Sequence, residues 1–300
     1  VSRRAASDAF ESEKPKTCFI HAKSSLFADF THFANGRFCD RTVFSKKSFC
    51  NFLSLSLDKV KLNYNHQLLL IDWNKQIDDE VYRPIDQFVQ AHPEPNTVFQ
   101  LRNNRFGDYE YASTLTWFRD AYDSARKSDP IALYYQPQAL NIAVHIRRGD
   151  LLPGRQFSDL SSRMLPDSWY IGILNQIMAQ TKKPLSIHIF SEGKNGLYQS
   201  EMGEAFSWVD FYAHTGHRVT EHIDTPFLET FHHLLNADLF IGSKSGMTHL
   251  AGMLGNSVKL VPSLWHSYRG ALDLLEVSDT MDEASKSTIT QFLAHHPPGN

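Results

Sequence analysis

Two consecutive arginines, Arg147 and Arg148, close an apolar run that reads LNIAVHIRRGD from Leu140 to Asp150. Arginine's planar fork of N–H donors matches a phosphate better than lysine's point charge does. Two in succession suit a doubly charged oxyanion such as a nucleotide diphosphate. Farther on, Ser243, Lys244, Ser245 and Gly246 combine two hydroxyls, an ammonium and backbone N–H groups at the start of a helix, which also makes an anion site. The bland alternative for the arginines is a solvated, salt-bridged face. The RGD triplet at Arg148 to Asp150 lies directly behind a buried strand and is read as a chance match to an adhesion motif.

These residues need elements to position them. Ile142, Val144 and Ile146 mark Asn141 to Ile146 as a buried strand that emerges at a sheet edge. The pattern then predicts a helix over Ser168 to Gln180, a strand at Leu185 to Phe190, and a loop with a short helix around Leu197 to Phe206. Strand-like stretches follow at Trp208 to Tyr212 and Val219 to Ile223, then a helix opened by Thr225 and Pro226. A strand at Asp238 to Ile241, a helix at Ser245 to Leu254, a strand at Val258 to Val261 and a helix at Met281 to His295 complete the series. Strands alternating with helices imply βαβ units and a mostly parallel, Rossmann-like sheet. Upstream, Thr17 to Ile20, Gln67 to Ile71 and Thr97 to Leu101 read as short strands and Ser113 to Lys127 as an amphipathic helix. Residues 1 to 16 read as a disordered lead-in, and 35 to 51 show no clean period. Ser128 to Gln138, with Pro130 and Pro137, is the candidate linker, dividing the chain into 1–137 and 138–300.

In an open parallel sheet the residues after each strand share one ligand-binding crevice. They are Arg147 and Arg148; Ser191, Glu192 and Gly193; Asp224 and Thr225; and Gly242, Ser243, Lys244 and Ser245. Asp224 or Glu192 could accept the N–H donors of guanine, which favours GDP. His145 shares the side of the pleat that Arg147 occupies. It reads either as a donor to phosphate or a sugar hydroxyl, or as a buried histidine satisfied by backbone.

Composition bounds the rest. With 42% hydrophobic and 21% charged residues and a net charge of -3, the chain reads as an ordinary globular protein, and nothing marks it as a general nucleic-acid or membrane-surface binder. Cys18, Cys39 and Cys50 are an odd set that forms no closed disulfide framework. No apolar run is long enough to span a bilayer, and no N-x-[ST] sequon occurs. The polar start, VSRRAASDAFESEKP, does not begin with Met, so an anchoring segment could have been trimmed. The compartment is then the Golgi or ER lumen, and otherwise the cytoplasm. No P-loop, GxGxxG or Asp-x-Asp pair appears, so a metal held by acidic ligands is not expected. His214, His217, His222, His232 and His233 lack HExxH or paired CxxC company and read as structural or surface residues.

The strings VHIRRGD, LPDSWY, HIFSEG and ETFHHLLNADLFIGSKSGMTHLAG, with Trp265 and His266, resemble the C-terminal half of the fucosyltransferase-like glycosyltransferases. That group includes the α1,2-, α1,6- and protein O-fucosyltransferases. The similarity spans residues 110 to 268, and LLLIDW at Leu68 to Trp73 resembles a first-lobe strand. The resemblance implies a GT-B-like α/β fold with a divergent N-terminal lobe on the acceptor side and the nucleotide sugar in residues 138–300. It also implies metal-independent, inverting transfer of fucose from GDP-fucose to a glycan or glycoprotein hydroxyl, with no further cofactor. Arg147 would then stabilise the departing phosphate, with Arg148 close by and His145 assisting. Asp224 would read guanine, and Ser243 and Ser245 would bind phosphate or sugar. The Gly-Asn-rich turn of many such enzymes has only Asn35, Gly36 and Arg37 as a counterpart. Arg155 stands where some relatives carry a proposed base and Asp159 is the nearest carboxylate, so the general base is unassigned. GMTHLA at Gly246 to Ala251 also resembles heptosyl- and other GT-B transferases, which leaves another nucleotide sugar as an alternative. A catalytically silent nucleotide- or glycan-binding protein is the third reading.

Overall fold

The computed structural model describes residues 18–20, 67–73, 91, 97–103, 112–155, 158–263, 268 and 271–299. Cys39, Cys50, Asn35, Gly36, Arg37, Trp265 and His266 lie outside the described residues, as do the segments 1–16 and 35–51. Strands β1 (Cys18–Ile20), β2 (Gln67–Trp73) and β3 (Thr97–Asn103) form a parallel sheet in the order β1-β3-β2.

The second sheet contains the site. Its strands are β4 (Leu140–Ile146), β5 (Leu185–Ser191), β8 (Arg218–Ile223), β9 (Leu239–Ile241), β10 (Val258–Pro262) and β11 (Leu274–Val277). They stand in the order β11-β10-β9-β4-β5-β8, every pair parallel. The chain therefore builds outward from β4 in one direction, returns, and builds outward from β4 in the other. This is the doubly wound arrangement, and the point where the order reverses is the gap between β4 and β9.

Strand β4 is central, so all seven of its residues are buried, with side chains alternating between two cores. Ile142, Val144 and Ile146 face one core with α2 (Asp167–Gln180), α3 (Trp208–Tyr212) and α6 (Glu283–His295). Ala143 faces the other with α1 (Ala112–Ser128), α4 (Phe227–Asn236) and α5 (Gly246–Leu254). Gly242 lets α5 lie close to the sheet, because a Cβ there would collide with the Thr248 methyl. The carboxyl end of α5 is held by cations. Arg119 donates from Nε to the Leu254 carbonyl at 3.0 Å and from Nη2 to the Met253 carbonyl at 2.9 Å. The buried Lys259 ammonium donates to the carbonyls of Gly255 and Ser257 at 3.0 and 2.6 Å. Carbonyls left unpaired at a helix end are thereby satisfied.

Two local expectations are corrected. Trp208 to Tyr212 is a helical turn, not a strand: Ser207 Oγ accepts from the Asp210 N–H at 3.1 Å, and Trp208 and Tyr212 are buried one turn apart. No helix lies within 197–206. Instead β6 (Gly193–Lys194) and β7 (Leu197–Tyr198) form a hairpin whose turn residues, Asn195 and Gly196, have φ of 55° and 75°. Strand β11 was not anticipated. Among the described residues no helix is long and apolar enough to cross a membrane.

Candidate functional site

Strand β9 ends opposite Val144, so Gly242 and Ser243 continue alongside His145 at the carboxyl edge of the sheet. This puts the β4 and β9 strand ends at the reversal point of the topology, where open parallel sheets bind ligands. His145 Nδ1 lies 2.9 Å from Thr248 Oγ1 and 3.0 Å from Ser243 Oγ. Thr248 Oγ1 in turn accepts the Ser243 N–H at 2.9 Å. Nδ1 thus meets two hydroxyls that can each donate or accept, and the Ser243 and Thr248 hydroxyls are themselves 3.3 Å apart. Nε2 has no hydrogen-bond partner among the described residues. Burial, aided by the Arg147 charge, holds the imidazole down to about 3, so it is neutral at physiological pH. His145 is thus a buried histidine, and its Nδ1 partners are side-chain hydroxyls rather than backbone.

Helix α5 starts at this point. Ser245 is its N-cap and accepts from the Thr248 N–H at 3.2 Å. The N–H groups of Gly246 and Met247 are not engaged among the described residues, which is the usual state of donors in a first helical turn. These amides and the positive end of the helix are suited to an anion, with His145 beside Ser243 and Thr248 at the same strand end. Lys244 leans away and pairs with Asp279.

The two arginines part company. Being adjacent on an extended chain, they leave on opposite faces. Arg147 is on the His145 side, where Nη2 donates to Asp150 Oδ2 at 3.0 Å. Arg148 is fully buried on the other side, with Nη2 at 2.6 Å from Asp167 Oδ1 and 3.7 Å from Glu201 Oε2. The Tyr198 hydroxyl donates to the same Asp167 oxygen. The Arg148 side chain is therefore not brought to the His145 side, and its visible task is to tie β4 to the start of α2.

Glu192 is half-buried against Gly149 and accepts the Arg148 N–H at 3.3 Å. Burial and the neighbouring Asp150 carboxylate raise it above the usual carboxylate range, against the pull of Arg147. Asp224 is exposed at φ 58°, and its Oδ1 accepts the Gly193 N–H at 3.1 Å. Three strand spacings separate β8 from β9, roughly 14 Å, so Asp224 stands well apart from Ser243 along the same edge. That separation is comparable with the length of an extended nucleoside diphosphate.

Residue reasoning missed Thr248 and the part played by Asp150. A signal existed for each: Thr248 is three residues past the Ser245 cap, and Asp150 is three past Arg147. Thr248→Val keeps the shape but leaves the buried Ser243 N–H without its acceptor. We expect it to lower unfolding free energy by about 1–3 kcal/mol in urea titrations. A change too small to measure would show that Thr248 does not organise the cluster.

A cavity of about 490 Å³ opens at the opposite, amino edge between Asp238, Ser257, Asp273 and His296. Its carboxylates are engaged, Asp238 with Asn141 at 2.7 Å and Asp273 with His296 at 2.9 Å. Fold topology favours the carboxyl edge over this cavity for nucleotide chemistry. Among the described residues no group of three or more His, Cys, Asp or Glu side chains could hold a metal ion.

Fold and edge define a Rossmann-like α/β protein with His145, Ser243 and the start of α5 at its topological switch point. Comparison of the chain with protein-family models, curated proteins and solved structures finds no match in any of the three.

Proposed function

We propose that the chain is a GT-B-like glycosyltransferase that moves fucose from GDP-fucose to a glycan or protein hydroxyl with inversion and without a divalent ion. The observation that supports this reading is the placement of His145, Ser243 and the start of α5 together at the β4/β9 switch point, with Arg147 close enough to His145 to oppose its charge. In the proposed step the acceptor oxygen attacks the sugar's anomeric carbon, the bond from that carbon to the diphosphate oxygen breaks, and GDP leaves. Negative charge grows on the diphosphate in the transition state, and fixed donors aimed at it lower the barrier. Arg147 supplies the charge and the amides of Gly246 and Met247 supply neutral donors, to which His145 adds one in its Nε2-protonated tautomer. The acceptor's proton passes to a base that remains unassigned. Asp224, standing off along the edge, would meet the guanine with its second oxygen, and Glu192, if protonated, would donate as well as accept. Residues 1–137 would carry the acceptor side.

Titration calorimetry with GDP, UDP and ADP, each with and without magnesium, tests the proposal. The expected result is GDP bound at least about tenfold more tightly than UDP or ADP, a difference of roughly 1.4 kcal/mol, and unaffected by magnesium. Binding of none of the three would remove the reading. Because Asp224 already spends one oxygen on Gly193, a donor with another base is the second reading, and preference for UDP or ADP would select it. Because Arg147 is already paired with Asp150, a nucleotide- or glycan-binding protein without turnover is the third. Bound GDP-fucose never consumed with any acceptor would select that one.

A further inference from the structure

The segment between α1 and β4 has no regular secondary structure from Pro130 to Pro137, yet it is fastened to the sheet by histidines. His233 Nδ1 donates to the Glu229 carbonyl at 2.7 Å, which leaves Nε2 as the acceptor for the Tyr134 N–H at 3.1 Å. His232 Nε2 donates to the Ile131 carbonyl at 3.1 Å, and its Nδ1 accepts from the Tyr122 hydroxyl at 2.6 Å. The exposed Tyr134 ring packs against both His222 and His233, with centroids 4.8 and 4.2 Å away. His222 Nε2 faces His188 Nδ1 at 2.9 Å, and His188 Nε2 faces Ser186 Oγ at 2.9 Å. Tyr135 sets its ring edge-on to His188 and His233 and donates its hydroxyl to the His233 carbonyl.

Three of these contacts depend on a neutral ring: the Tyr134 N–H to His233, the Tyr122 hydroxyl to His232, and His188 to His222. A proton on His233 Nε2 would turn the acceptor of the Tyr134 N–H into a second donor. Between His188 and His222 one nitrogen must donate and the other accept, so both rings cannot carry a full set of protons while they face each other. We propose that residues 131–136 are held by an acid-labile latch, in which protonation of His233 and of the His188–His222 pair releases the segment from the sheet while the sheet stays folded.

The charged and titratable neighbours favour neutrality. Burial and the neighbouring rings hold His188 down to about 3, with His222, His233 and Arg218 all opposing its charge. Burial and His233 hold His222 down to about 4. Burial, His233 and Arg126 hold His232 down to about 4, partly offset by the Ile131 carbonyl. His233 is lowered by burial, while the Glu229 carbonyl and carboxylate work the other way. Tyr135 is raised well above its ordinary value by burial, Asp238 and Tyr122, and stays neutral. With the segment released, the rings on β5, β8 and α4 lose part of the burial that opposes their charge, so each takes its proton at a higher pH than in the closed latch. Opening therefore takes up protons below about pH 6.5, and acid favours the open form.

Amide hydrogen exchange of the full chain between pH 7.5 and 4, corrected for the intrinsic rate, reads the latch directly. The Tyr134 N–H should lose protection by at least about tenfold between pH 7 and 5 while the Val144 N–H in β4 keeps its own. His233→Gln can still accept the Tyr134 N–H through its side-chain oxygen but cannot take up the proton. Its loss of protection should move at least about half a unit lower in pH. Protection at Tyr134 that does not change with pH, that is lost together with Val144, or that keeps its pH dependence in the variant would overturn the proposal. Should the variant not fold, ring-proton NMR titration of the unaltered chain decides. Midpoints below about 5 for His188, His222 and His233 support the latch, and midpoints near the free value of about 6.5 overturn it.

Discussion

Replacing Arg148 with methionine should lower the unfolding free energy by about 3–5 kcal/mol, the usual consequence of removing one member of a buried ion pair. The Arg148 side chain has no exposed surface and that of Asp167 is 10% exposed, so solvent screens the pair little. Burial works against the guanidinium charge, but Tyr198, Tyr170 and Asp167 outweigh it and hold the group above its ordinary value. Without the arginine, the Asp167 carboxylate keeps the Tyr198 hydroxyl as a donor but has lost its counter-charge. Adding Asp167→Asn should restore part of the stability, because the amide oxygen can still accept from Tyr198. Denaturant midpoints of the two variants check this. A single variant within about 0.5 kcal/mol of the unaltered chain would mean that the pair adds nothing beyond a surface contact.

Arg147→Ala should lower stability, because Asp150 loses its buried partner, and should have a larger effect on function. We expect GDP affinity to fall at least about 100-fold and sugar transfer, if the chain performs it, to fall by about 100- to 1000-fold, the range seen when one charge-stabilising donor is removed from an active site. The variant should also acquire a characteristic pH dependence. Arg147 opposes the upward shift that burial and Asp150 impose on Glu192, so its loss raises the Glu192 carboxyl further. A carboxyl raised in the folded state binds its proton more tightly there than in the unfolded chain, and stability falls as pH rises through the folded value. The variant should therefore lose more stability at pH 8 than at pH 5. Unchanged nucleotide affinity would remove Arg147 from the proposed phosphate site.

Much of the carboxyl-terminal half was legible because its strands are short, apolar and separated by helices with recognisable caps. Strand β4 begins one residue before its expected start, and β5, β8 and β10 each differ by a residue at one end. What failed was chemistry that periodicity does not encode. Trp208 to Tyr212 is apolar and aromatic enough to pass for a strand, and only the Ser207 cap reveals the helical turn. The Asn195-Gly196 dipeptide is a strong hairpin signal that was read as loop, because the strands it joins have only two residues each. Strand β11 was missed because LLEV at a sheet edge is half-buried and interrupted by Glu276.

At the candidate site the structure brings Ser243 to His145 and takes Arg148 away to Asp167, so the two arginines do not act together. Two adjacent cations on a strand cannot share a face, and alternation alone separates Arg147 from Arg148. Lys244 was assigned to the anion on its proximity in sequence, yet Asp279, arriving from beyond β11, pairs with it. Thr248 went unnoticed because its role depends on a helix turning its hydroxyl back toward the preceding strand. The mutual contacts of the histidines come from β5, β8 and α4 and have no signature in spacing.

The two-sided burial of β4 also limits how this chain can vary in length. Inserting or deleting a single residue between Leu140 and Ile146 would exchange the surroundings of the guanidinia, sending one toward the hydroxyls of Ser243 and Thr248 and the other toward the tyrosines beside α2. Length changes can be absorbed only in the connections. Descendants of this sequence should accordingly differ in the stretch from Leu152 to Leu165 while keeping the residue count of β4 fixed.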